Sequence, residues 1–184
     1  MLQTQLAALA VVATVLVACG CGGSSKSGAS TTTTSAAVTA SDTTTTTPTS
    51  PTTTVKLATG RPLTRAKWIA EGDTICKHVN TEVAAISVVS AAEYGRLLPQ
   101  IALYYSTEAQ ELGKLVPPTS MASDGTQLAN GLQLLSEYLN RSAREFQAGH
   151  NTAGAHLFVT ALKIQKQPIA VAKRAGFKMC TDTN

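Results

Sequence analysis

From about residue 60 to the C terminus, apolar side chains recur every three or four positions, with no strand-like alternation to compete. That period puts them on one stripe of an α-helix and predicts an all-helical fold. Trp68, Ile69, Ile75, Cys76, Val79, Val83 and Ile86 carry the pattern in a first helix expected over about 65–89. Ser90-Ala91-Ala92-Glu93 has the form of a capping box opening a second helix. The stripe there is Tyr94, Leu97, Leu98, Ile101, Tyr105, Leu112 and Leu115. Pro99 should kink it, and Pro117-Pro118 should end it. A third helix is expected over about 121–148 on Leu128, Leu132, Leu135, Leu139 and Phe146. The fourth should start near Asn151 as N-cap, bury Phe158, Ala161, Leu162, Gln165, Ile169 and Ala172, bend at Pro168, and end on a left-handed Gly176 followed by Phe177. Four such helices with short connections predict an antiparallel up-down four-helix bundle.

Upstream the chain changes character. Between residues 24 and 58, Thr supplies 14 and Ser 7 of the 35 residues, with no aromatic side chain. Such a segment cannot bury enough apolar area to offset its chain entropy, so a disordered tether is expected. As a flexible coil it would reach roughly 30–35 Å root-mean-square. Thr/Ser-rich sequence with Pro48 and Pro51 is also the composition of O-glycosylated stalks, but a plain spacer is the simpler reading.

The first 18 residues contain a largely apolar run from Leu6 to Ala18. Thirteen residues are too few to span a bilayer as a helix, which takes about 20, but they suit the core of an export signal. The run closes on Leu16-Val17-Ala18-Cys19 and opens onto Gly20-Cys21-Gly22-Gly23. This layout resembles the lipobox of bacterial lipoproteins. The resemblance implies cleavage before Cys19 and attachment of a diacylglyceryl group to its sulfur. Cys21 fits the pattern less well, because Ala18 would stand where a branched aliphatic residue belongs. Met1 to Gln5 has no Lys or Arg, a departure from the usual cationic start. The expected organisation is a signal peptide at 1–18, a lipid-anchored tether at 19–59 and a helical domain at 60–184. The expected location is the extracytoplasmic face of the cell membrane.

Within the domain the only cysteines are Cys76 and Cys180. Export would put them in an oxidising compartment, and first and last helices are neighbours in an up-down bundle, so a structural disulfide is expected. A metal-binding or redox pair is the alternative. Their wide separation and the lack of a C-x-x-C motif count against both.

Catalytic chemistry is not visible. The ten acidic residues of the domain include none followed by His three positions later, so the helix-bundle di-metal motif is missing. Cys76 and His78 stand two apart on one helix and point to different sides. His78 and Glu82 read as a surface pair. Nucleophile-elbow, P-loop, zincin and dinucleotide motifs are lacking as well. No enzyme activity, cofactor or metal site is therefore expected. The domain has 13 Lys and Arg against 10 Asp and Glu, too even a balance for a nucleic-acid binder. Lys163, Lys166, Lys173, Arg174 and Lys178 make the last helix basic. That face could meet anionic lipid or wall polymer, although cations near a helix C terminus are also favoured by its dipole.

Ile75-Cys76, Leu115-Val116-Pro117-Pro118 and Gly176-Phe177 shortly before Cys180 resemble small uncharacterised helical lipoproteins of Gram-positive bacteria. The resemblance implies no catalytic residue. Two functions are carried forward: a surface-tethered domain binding a cell-envelope protein or polymer, and a small-molecule carrier or enzyme using a bundle pocket lined by Tyr94, Tyr104 and Tyr105.

Overall fold

A computed structural model describes residues 53–87, 90 and 93–182. The expected signal peptide, Cys19, Cys21 and most of the tether lie outside the described residues. The described residues form four helices: α1 Arg65–Ala84, α2 Tyr94–Lys114, α3 Ala122–Gln147 and α4 Asn151–Ala175. Short 3-10 turns lie at Thr119–Met121 and Met179–Thr181, and no strand occurs among the described residues. The fold class is the expected all-α antiparallel bundle.

Local chemistry sets the helix ends. Thr64 caps α1 by accepting from the Lys67 N–H. The helix stops at Ala84 rather than 89; the following Ile86-Ser87-Val88-Val89 is rich in β-branched residues that pay side-chain entropy in a helix. Half of the expected capping box forms. The Ser90 N–H donates to Glu93 Oε2, but the Ser90 hydroxyl donates to the same carboxylate instead of accepting from the Glu93 amide. Position 150, not Asn151, caps α4; Asn151 is its first residue. Gly176 ends α4 with φ 99°, and its N–H and that of Phe177 reach the Ala172 carbonyl.

Both internal prolines are absorbed. Pro99 lies within a continuous α2. Lacking an N–H, it leaves the Gly95 carbonyl without its usual helical donor, and Gln147 Nε2 supplies one at 2.6 Å. Pro168 is buried in α4. Its ring packs on Gly131 of α3, where a β-carbon would stand 3.2 Å from Pro168 Cβ and Cδ.

The core falls into two clusters. One joins Trp68, Cys76, Leu112, Met121, Leu128, Leu132, Val171 and Phe177. Trp68 and Phe177 meet edge to face at 4.7 Å. The other joins Leu98, Leu135, Leu139 and Ala161, with Tyr94 stacked on Phe146 and tilted on Phe158. Two buried serines tie neighbouring helices: Ser136 donates to the Ala102 carbonyl and Ser142 to that of Gly154.

The chain meets the bundle at Thr53, before the boundary suggested by composition. Its N–H donates to Glu137, the Val55 N–H to Asn130 Oδ1, and the Ala58 N–H to the Gly113 carbonyl. Val55 packs over Gly113, where any side chain would meet it. Residues 53–58 therefore form a strap along α2 and α3.

Candidate functional site

The most chemically loaded place in the fold is where α1, α2 and the C-terminal tail converge. Cys76, fully buried on α1, is bonded to Cys180 of the tail, with Cα atoms 5.0 Å apart. The expected disulfide is present. The tail is brought there by Phe177, which seats beside Gly72, and by Asp73, whose Oδ1 accepts from the Lys178 and Met179 N–H groups at 2.9 and 2.8 Å. Asp73 thereby holds the start of the 3-10 turn that carries Cys180. Asn80 Nδ2 adds a bond to the Met179 carbonyl at 2.7 Å.

Glu108 of α2 reaches the same place. It is 4% exposed, and one of its carboxyl oxygens lies within 4.8 Å of both cysteine sulfurs. Burial pushes its pKa up to about 8, because a charged carboxylate there loses its water. The neighbouring Tyr105 hydroxyl is pushed up as well, first by burial and then by Glu108, while accepting a bond from Gln165 Nε2 at 3.3 Å. These side chains face a cavity of about 30 Å³, also lined by Asn80, Asp182 and Pro168. That volume holds about two water molecules.

Glu108 is not among the residues that sequence motifs single out. The signal was available: the stripe Ile101, Tyr105, Leu112, Leu115 leaves a place at 108, and an acid fills it. Cys76, Glu108 and Cys180 are the three metal-ligand types that the fold gathers. With both sulfurs in a disulfide, neither is a thiolate, and only Glu108 offers an ordinary donor.

The other candidates are dispersed. Tyr105 lines the cavity, Tyr94 belongs to the aromatic cluster of the second core, and Tyr104 donates to Glu82 at 3.2 Å. The three tyrosines do not share a pocket. His78 and Glu82 form the expected exposed pair, 3.9 Å apart. His150 pairs with Glu145 at 3.0 Å. On α3, Glu137 accepts from the Thr53 N–H, Glu145 takes His150, and Arg141 lies over the Tyr138 ring at 5.0 Å. On α4, Lys163, Lys166 and Lys173 are exposed, whereas Arg174 is engaged by Asp124 at 2.6 Å. No helix among the described residues is long and apolar enough to cross a membrane. No family model, curated protein or solved structure matches the chain.

Proposed function

We propose that this chain is an exported lipoprotein, held at the outer face of the cell membrane through Cys19, that presents a non-catalytic helical domain to a protein or polymer of the cell envelope. The observation carrying this reading is Leu16-Val17-Ala18-Cys19 behind an apolar run too short to span a bilayer. The Cys76–Cys180 bond supports it, since such bonds persist on the oxidising side of a membrane. A diacylglyceryl group brings two acyl chains in one modification, which meets the usual need of stable anchoring for two lipid signals.

The face offered to a partner is the outer side of α4. That helix has no Asp or Glu, and its exposed lysines at 163, 166 and 173 follow one stripe. An anionic envelope polymer is the matching chemistry. A carrier or enzyme is the alternative function. The cavity beside Glu108, about 30 Å³, is too small for a metabolite, so a carrier would have to open the bundle.

The test is substitution of Cys19 by Ser followed by cell fractionation. The expected result is loss of the protein from the membrane pellet. Retention in the membrane would overturn the anchor.

A further inference from the structure

The Glu108 carboxyl group lies beside both sulfurs of the disulfide that fastens the tail, with Cys76 fully buried and Cys180 half-buried. Cys76 is sealed in the core, whereas Cys180 lines the cavity on the tail. A thiolate from outside therefore meets Cys180 first. If it attacks there, Cys76 is the leaving group and must receive an electron pair in a low-dielectric site, where a bare thiolate is costly. Glu108 reaches within 4.8 Å of that sulfur and faces a cavity with room for water, from which its proton can be replaced.

We propose that Cys76–Cys180 is a reversible thiol–disulfide couple opened by a dithiol reductant, and that Glu108 is the general acid that protonates the departing Cys76 sulfur. In the first step a thiolate of the reductant bonds to Cys180 Sγ, and the Cys76–Cys180 bond breaks. Cys76 keeps the electron pair and takes the Glu108 proton, leaving a carboxylate. In the second step the other thiol of the reductant loses its proton and attacks the reductant's own sulfur in the mixed disulfide. Cys180 is released as a thiolate and is protonated from solvent, as Glu108 is in turn. Two electrons and two protons pass to the protein, and the reductant departs as a disulfide. The reverse sequence uses the Glu108 carboxylate as the base that activates Cys76.

The surroundings suit this role. At neutral pH an ordinary carboxyl has no proton to give, but burial keeps Glu108 protonated there, with an affinity near that of a thiol. The groups facing it from the other elements are mostly neutral. Asn80 and Val83 come from α1, Leu128 and Leu132 from α3, Gln165, Pro168 and Ile169 from α4, and Tyr105 from its own helix. Asp182 of the tail is the other acidic group at the cavity wall. Opening the bond would free the tail from covalent attachment to α1, leaving it held by Phe177, Asp73 and Asn80.

The test uses the full chain in detergent with dithiothreitol as the reductant, following bond opening by alkylation and mass. Rates are divided by the concentration of reductant thiolate at each pH from 6 to 9.5. The expected wild-type profile is a corrected rate that falls as pH rises through about 8, where Glu108 loses its proton. Glu108→Gln should lower the corrected rate at pH 7 at least roughly tenfold and flatten the profile. Glu108→Asp should keep a sloping profile. A flat wild-type profile overturns the proposal by itself, whether or not the variants fold. So does a Glu108→Gln rate equal to wild type across the range, the behaviour of a carboxyl that only packs.

Discussion

Glu108 contributes a pH dependence to stability whose sign follows from its environment. Its folded pKa, about 8, stands above the ordinary carboxyl value of 4.5. The folded state therefore holds more protons than the unfolded one between those values, and stability falls as pH rises through the window, by up to about 1.4 kcal/mol per unit. The expected outcome is a lower denaturant midpoint at pH 8.5 than at pH 5.5, with Glu108→Gln removing most of the difference. Equal slopes in both proteins would count against the burial account. Asp73 acts at the same scale. Its carboxylate holds two N–H groups of the tail, and Asp73→Ala should cost about 1–3 kcal/mol by leaving them without an acceptor. A chemical-denaturation curve measures it. The two residues differ in legibility. An acid in the middle of an apolar stripe could have been read from the sequence. The partners of Asp73 lie 105 and 106 positions away, beyond the reach of any local spacing rule.

At the scale of the helix, period and punctuation carried most of the information. Trp68, Cys76, Val79 and Val83 are buried on the face their spacing implied, and Gly176-Phe177 ends α4 as its residue types required. Helix ends were less legible where no breaker stands, as after Ala84. The consequence of Pro99 was not legible either, because the donor that satisfies Gly95 comes from Gln147 on another helix. Gln147→Ala should therefore destabilise the domain by about 1 kcal/mol although Gln147 is exposed, a loss readable as a fall in melting temperature. Close packing gives a sharper case. A β-carbon on Gly72 would strike the Phe177 ring, so Gly72→Ala should cost about 1–3 kcal/mol despite the better helix propensity of Ala. A neutral or stabilising result would mean that Phe177 is not seated as described.

For the whole molecule, the bundle is closed by its tail. α3 runs along both α2 and α4, while α1 is fastened to the end of α4 through Phe177, the turn at Met179–Thr181 and the disulfide. The bond joins positions 104 apart, and the chain-entropy account assigns such a loop about 4–5 kcal/mol. That is a large share of the roughly 5–15 kcal/mol that stabilises a domain. Cys76→Ser/Cys180→Ser should melt far below wild type and stay helical, as circular dichroism would record. The sequence indicated this closure because the two cysteines stand alone in the domain. The strap at 53–58 was hidden, since its bonds are made by backbone N–H groups that composition does not distinguish. All of this places a closed domain behind a long Thr/Ser-rich segment, and the central claim is that a lipid on Cys19 holds the far end. Mass spectrometry of the protein extracted from membranes tests it directly. The account predicts a mature chain whose first residue is Cys19, heavier than its sequence by a diacylglyceryl group. A chain that keeps the residues before Cys19, or one that starts there without added mass, would contradict it.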